Sequence, residues 1–422
     1  MQNFDLIIIG GGLAGLASAI YAARAGLSVR LLEKASHPGG RAISTQNNGV
    51  TFNVGPHALY RGGFAEKTLR DLGVNFSGKA PGAGSYALFH DELQELPGAN
   101  LFSFLGNSFF SAGQKLNIAK TLLGLRDQEI ARWQERSFAA WLDHASPDEK
   151  VRKFFAALCR VSNYCTSTQE QLASDALSQL KLAFTKGVLY LDGGWQSLVD
   201  QMSQLASRLG VQVQAEARVE AINEEQITLA AGEPLRAKTI LLAVPPKNAL
   251  SLLPNAAKQE LQEALNDSLP IQAACLDVAL SSLTKPAHQI VLGFDVPLYY
   301  SVHSGLARLA PDGVAVLHVA KYLQANEDTK QNEQQLEDFL EKIQPNWRSQ
   351  LLHKRFLPQM TVSHWMAQTK TRGLAGRPAT SLHSAPGVFL AGDWVGNQGM
   401  LVDGALASAA KASQEAIAWC KR

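Results

Sequence analysis

The chain has 422 residues, 46% hydrophobic and 18% charged, a composition that excludes a disordered or fibrous protein and suits two or three domains. Its 39 basic and 37 acidic residues leave a formal charge of +2, which offers no basic footprint for nucleic acid. Cys159, Cys165, Cys275 and Cys420 form no C-x-x-C pair and no metal-ligand spacing, so no metal is expected and a reducing, cytoplasmic setting is.

Eleven of the 34 glycines fall in the first 63 residues, and the predicted elements there explain why. Phe4-Asp5-Leu6-Ile7-Ile8-Ile9 is the short apolar run of a buried parallel strand. Asp5 interrupts it and Gly10 ends it, so it is no signal peptide. Gly10-Gly11-Gly12-Leu13-Ala14-Gly15 follows, and Leu13 to Ala25 reads as a helix stopped by Gly26. Ser28 to Glu33 is the second strand. This βαβ unit carries G-x-G-x-x-G at its first turn and an acid ending its second strand. Gly10 permits the turn, Gly12 lets a pyrophosphate approach the helix N-terminus, and Gly15 lets helix and strand pack closely. Glu33 can accept hydrogen bonds from a ribose. At this point NAD and FAD are both open.

A second glycine turn, Gly39-Gly40-Arg41, comes next, then Phe52-Asn53-Val54-Gly55-Pro56-His57. Residues 97–185 read as mostly helical. Within them Leu101 to Phe110 holds four phenylalanines, which suit either a core-packing cap helix or a membrane-dipping entry helix. Tyr190 to Leu198 contains the pair Gly193-Gly194 before a helix, Ala217 to Ile222 is a strand, and Ile240 to Pro246 is a returning strand. Between 255 and 370 the candidate strands are Ala273 to Leu280, Gln289 to Phe294 and Val314 to Val319, with an acidic amphipathic helix over Gln331 to Ile343. Gly387 to Trp394 is a strand ending in Gly392-Asp393, followed by Gly399 to Ala405 and a small-residue helix from Leu406 to Ala418. No run reaches the ~20 apolar residues needed to cross a bilayer.

Four of these motifs, in this order, resemble the superfamily that contains phytoene desaturases, protoporphyrinogen oxidases and flavin amine oxidases. The Gly392-Asp393-Trp394 form is nearest to the carotene desaturase-like branch. The resemblance implies an α/β fold: a Rossmann-like (GR2-type) FAD-binding domain with an interleaved α+β substrate domain, a mixed sheet with a helical cap. The FAD domain would comprise residues 1–65, 187–250 and 370–422; the substrate domain 66–186 and 251–369. By resemblance, Gly39, Gly40 and Arg41 lie along the phosphates and ribityl chain, and Gly55 and Pro56 lie beside the isoalloxazine. The Val219 backbone meets the adenine, and Asp393 bonds the ribitol or a phosphate. Backbone at Met400, Leu401 and Val402 reaches the pyrimidine edge, where a helix N-terminus suits the charge of reduced flavin. Gly10, Gly12, Leu13, Ala14, Gly15, Glu33, Lys34, His57 and Gly392 complete the expected cofactor set. Gly396 to Gly399 lacks the cysteine of covalent flavoenzymes, so non-covalent FAD is expected.

The implied function is hydride abstraction from a largely apolar, isoprenoid- or carotenoid-like molecule, with flavin re-oxidised by O2 or a quinone. The alternatives are an amine oxidase, a protoporphyrinogen oxidase-like enzyme, or a non-catalytic binding protein on the same fold. His57 is the catalytic candidate, either a polar group over the ring or a histidine bonded to backbone. Tyr60, Arg61, Tyr164 and Trp365 are further pocket candidates, and Trp394 either stacks near the flavin or sits in the core. A peripheral membrane contact is compatible with this reading, and the oligomeric state is unassigned.

Overall fold

The computed structural model describes residues 3–82, 84–97, 101–324 and 327–422, with the side chains of Leu101 and Phe102 outside that description. Two seven-stranded sheets dominate the α/β architecture. In the first, Asn3–Ile9 lies between Val29–Leu32 and Leu235–Leu242, all parallel. Gln212–Gln214 flanks Val29–Leu32, and Val388–Leu390 pairs in parallel with the end of Leu235–Leu242. Gln226–Leu229 and Val219–Asn223 add an antiparallel hairpin. Strand alternation divides the isoleucine run between two cores. Leu6 and Ile8 share one with helices Leu13–Arg24 and Leu401–Cys420, while Ile7 and Ile9 belong to the other. Burial on both faces is why this strand is apolar at almost every position.

The second sheet runs in the order Leu351–Ser363, Ile271–Leu280, Ala315–Tyr322, Leu298–Val302, Ile290–Gly293, Ser85–Phe89, Glu92–Glu95. Its neighbours are antiparallel except for Ile290–Gly293 beside Ser85–Phe89. Ala274, Leu276, Val278, Leu317 and Val319 point from one face toward helix Asn332–Ile343. Cys275, Leu292, Tyr299, Ala320 and Tyr322 point from the other into a core shared with the helical cap. Helices Ala112–Leu123, Phe138–Ala145 and Glu149–Asn163 of that cap are each closed at the N-terminus by a side chain, from Ser111, Ser137 and Asp148.

Leu101–Gly106 is a six-residue helix. Phe109 and Phe110 are buried and Phe104 packs against the cap core, so these rings build the cap; Phe102 lies outside the described side chains. Among the described residues no helix is long and apolar enough to cross a membrane.

Strands Ser85–Phe89, Glu92–Glu95 and Leu298–Val302 were not anticipated in the sequence reading, and two further differences have a clear physical reason. Leu351–Ser363 is a thirteen-residue strand that was not anticipated, because Pro358 and a scatter of charges disguise it. It lies at a sheet edge, and its register slips between Leu357 and Met360, a bulge that accommodates the proline. The C-terminal helix begins at Leu401, not Leu406. Gly404 looks like loop but is buried in the first turn, where a side chain would collide with the Gly399 carbonyl and Arg377.

Candidate functional site

The βαβ turn is built as its spacing requires. A Cβ on Gly15 would lie 1.9 Å from the Gly10 carbonyl oxygen, whereas one on Gly12 would meet nothing within 4 Å. Gly12 therefore faces open space at the start of helix Leu13–Arg24, whose N-terminus has no side-chain cap. Leu13 and Ala14 form its buried first turn. Glu33 is buried, and its two oxygens accept from Gly11 N–H at 2.7 Å and Ala35 N–H at 2.8 Å. It thus shapes the turn. Lys34 is exposed beside it. Gly39 N–H donates to the Gly11 carbonyl at 2.8 Å, which brings the two glycine turns together, with Gly40 against Gly12. Ala217 N–H donates to the Glu33 carbonyl at 2.8 Å, and Val219 opens the strand that follows.

Arg41 and Asp393, 352 residues apart, form a bidentate pair at 2.8 and 2.9 Å. His364 also donates its backbone N–H to Asp393 at 3.0 Å, and its ring Nδ1 lies 3.1 Å from the same carboxylate. Burial works against the Asp393 charge, but Arg41 and His364 outweigh it and hold its pKa well below the usual carboxylate range. Gly392 is fixed by Ser408, whose hydroxyl accepts its N–H at 2.9 Å.

The Gly55-Pro56-His57 loop reaches the second sheet. A Cβ on Gly55 would lie 2.5 Å from Met360 Cε and 3.6 Å from Cys275 Sγ. Tyr164, in a left-handed conformation after helix Glu149–Asn163, donates its hydroxyl to the Pro56 carbonyl at 2.7 Å. Tyr60 donates to the Ser162 carbonyl at 2.7 Å. His57 Nδ1 is 3.1 Å from the Gly55 carbonyl, and its ring meets Trp195 edge-on at 5.0 Å. Burial pulls its pKa down to about 4. Arg61 is exposed, while Trp365 and Trp394 are core residues that donate their indole N–H groups to the Gly373 and Val244 carbonyls.

Met400 precedes helix Leu401–Cys420, whose start also lacks a side-chain cap; Leu401 has a φ of 54° and Val402 is half-buried. A cavity of about 310 Å³ adjoins Met400, lined also by Gly63, Asp175, Gln179 and Asp403. Burial pushes the Asp403 carboxyl from 3.8 up to about 6, against the Ala65 N–H it accepts at 2.6 Å. The folded chain therefore keeps a proton that the unfolded chain releases. This contribution to stability is largest below about pH 4 and is lost as pH rises through 6. Asp403→Asn keeps an acceptor for Ala65 N–H and has no proton to lose. It is expected to melt with the wild type near pH 4 and to be more stable above pH 7, by up to about 3 kcal/mol. Superimposable Tm profiles across this range would contradict that.

One part of the site was missed in the sequence. Strand register sets Arg355, Asp277, His318 and Ser301 in a transverse row on the floor sheet. Arg355 donates to Asp277 Oδ2, to Thr45 Oγ1 at 2.8 Å and to the Asn53 carbonyl, just before the Gly55 loop. His318 Nδ1 lies 2.5 Å from Asp277 Oδ1, and His318 Nε2 is buried without a partner among the described residues. The only signal in the sequence was a lone aspartate and a lone histidine inside otherwise apolar strands. Cys275, Asp277 and His318 bring three possible metal donors within 4.8 Å of one another. The 2.5 Å N–O separation is a hydrogen bond, whereas two ligands of one zinc stand about 3.3–3.7 Å apart.

A family model described as flavin containing amine oxidoreductase matches residues 13–417. A 4,4'-diapolycopene oxygenase from Methylomonas sp is 26% identical over 307 residues, covering 62% of this chain and 60% of that protein. A phytoene desaturase from Fusarium fujikuroi is 24% identical over 264 residues, covering 53% and 45%. The match thus spans about half to three-fifths of the length of these curated relatives. Among solved structures, an oxidoreductase from Methanosarcina mazei superposes with a TM-score of 0.77 at 18% identity, over 98% of this chain and 100% of that one.

Proposed function

The chain belongs to the flavin containing amine oxidoreductase family; from that premise we propose that it is an FAD-dependent oxidoreductase that removes hydride from a largely apolar, isoprenoid- or carotenoid-like small molecule. The residues present fit FAD. The helix opening at Leu13 has no side-chain cap, and a Cβ on Gly12 at its start would meet nothing within 4 Å, so its first-turn N–H groups face open space that a pyrophosphate can fill. In this reading Gly10, Gly12, Leu13, Ala14 and Gly15 hold the pyrophosphate, and Glu33, Lys34 and Val219 the adenosine. Gly40, Arg41 and Asp393 serve the phosphates and ribityl chain. Gly55, Pro56, His57, Gly392, Met400, Leu401 and Val402 surround the ring, and the FAD is non-covalent.

Bound FAD supplies the two-electron acceptor, and O2 or a quinone restores it. The chain supplies position and surroundings. With Nδ1 donating to the Gly55 carbonyl, His57 presents Nε2 as a neutral acceptor. Its pKa of about 4 keeps it uncharged above pH 5, so kcat/KM is expected to show no His57-dependent break between pH 5 and 8. A break in that range that disappears in His57→Gln would contradict this.

The observation that carries the apolar substrate is the continuity of the Gly55 loop with the floor and cap. Cys275 and Met360, which touch Gly55, join Leu292, Phe294, Tyr299 and Phe154 in one apolar cluster. The same reading allows a peripheral encounter with a lipid surface through the exposed Leu105, Leu116 and Leu123. An anaerobic panel tests the proposal. Isoprenoid polyenes are expected to bleach the bound flavin and simple amines are not. Bleaching by primary amines, with peroxide released in air and no response to polyenes, would replace this reading with amine oxidation. A preparation that stays colourless after FAD is added would point to a binding protein.

A further inference from the structure

Arg160 lies in the last turn of helix Glu149–Asn163, on the cap side of the floor sheet. Among the described residues its guanidinium donates only to neutral acceptors, the carbonyls of Val296 at 3.3 Å and Gly293 at 3.2 Å. It also sits 5.9 Å from the centre of the Tyr322 ring. Among the described residues no carboxylate lies within ion-pair distance of it, although the neighbouring Lys153 is paired with both Glu149 and Asp295. Burial pushes the Arg160 pKa down, with only Tyr322 and Cys159 acting in the other direction. A largely desolvated cation without a counter-ion is costly, and two long hydrogen bonds to carbonyls offset little of that cost.

Its position gives the cost a use. Arg160 is one helical turn from Tyr164; its carbonyl accepts the Tyr164 N–H at 2.7 Å. The Tyr164 hydroxyl in turn holds the Pro56 carbonyl of the loop assigned to the flavin ring. The Tyr164 and Tyr322 rings meet edge-on at 5.5 Å, so Arg160, Tyr322, Tyr164 and Pro56 form a continuous line. A guanidinium fork suits a carboxylate, which it binds with two parallel hydrogen bonds. We propose that Arg160 anchors an anionic end group, a carboxylate, on the otherwise apolar substrate. Its reacting carbons would then lie against the Gly55–His57 loop. This rests on the apolar-substrate reading above and narrows it to amphipathic acids.

The test uses the FAD-loaded full chain and two probes of one skeleton, farnesoate and farnesol, with binding read from the perturbation of the oxidised flavin spectrum. Farnesoate is expected to bind at least tenfold more tightly than farnesol at pH 8. That preference should fall within twofold of unity in Arg160→Gln and be partly restored in Arg160→Lys. If the glutamine variant does not fold, the wild type still decides: its preference should vanish at pH 4, where the carboxylic acid is largely protonated. Equal binding of acid and alcohol at pH 8, or an unchanged preference in Arg160→Gln, would overturn the anchor while leaving the apolar-substrate reading standing. Failure of both probes to bind would overturn that reading and the anchor with it.

Discussion

Gly15→Ala is expected to yield a destabilised protein without flavin, whereas Gly12→Ala, three residues away, is expected to fold normally and still lose the cofactor. The difference lies in what each new methyl group meets. At Gly15 the Cβ would stand 1.9 Å from the Gly10 carbonyl oxygen and 3.4 Å from Ala243 Cβ. Neither can retreat easily, because Gly10 N–H bonds the Leu32 carbonyl and Ala243 N–H bonds the Ile9 carbonyl, both at 2.8 Å within the parallel sheet. The helix must move instead, at an overpacking cost of about 1–3 kcal/mol. At Gly12 the backbone is ordinary, with φ of −70°, and no protein atom lies within 4 Å of the new methyl. What it fills is the space assigned to the pyrophosphate. A comparable steric penalty there weakens FAD binding about tenfold to a hundredfold. Flavin absorbance per chain and the Tm of the apoproteins separate the two effects. Normal FAD content in Gly12→Ala would remove the pyrophosphate from this turn.

The contrast also explains which parts of the site were legible in the sequence. Glycine requirements are local, so G-x-G-x-x-G between a strand and a helix could be interpreted from spacing alone. The Arg41–Asp393 pair spans 352 residues, and nothing local joins its halves; only the resemblance placed them on one cofactor. His364 was not anticipated, because its role depends on a backbone N–H that any residue offers. Leu351–Ser363 was hidden for a related reason. An edge strand has little need of alternation and can take a proline at a bulge, so both strand signals were absent. Tyr60 and Tyr164 were recognised as pocket candidates, yet their partners, the Ser162 and Pro56 carbonyls, are features of the cap's packing on the loop.

The row Arg355–Asp277–His318 carries the second large effect, and its expected size follows from burial. Asp277 and His318 are fully buried, and the Asp277 carboxylate joins the Arg355 guanidinium to the His318 ring. Asp277→Ala leaves Arg355 without its carboxylate and His318 Nδ1 without its acceptor. Removing one partner of a buried ionic pair costs about 3–5 kcal/mol, because the desolvation of the other is no longer compensated. Replacing both partners by apolar groups is far milder, so Asp277→Ala combined with Arg355→Met is expected to recover much of the lost stability. The loss should also depend on pH. Burial opposes the Asp277 charge, but His318 and Arg355 outweigh it, and its pKa lies below the usual 3.8. Its contribution is thus present above the unfolded pKa and disappears as pH falls through the lower folded value. The Tm deficit of Asp277→Ala should be full at neutral pH and shrink in acid. Additive single and double variants, or a deficit independent of pH, would mean that the three groups do not act as a unit. Arg355 also grips Thr45 and the Asn53 carbonyl, two residues before Gly55. If the row positions the flavin loop, Asp277→Ala must alter the spectrum of the bound flavin at temperatures where the protein is still folded, which a purely structural ion pair would leave unchanged.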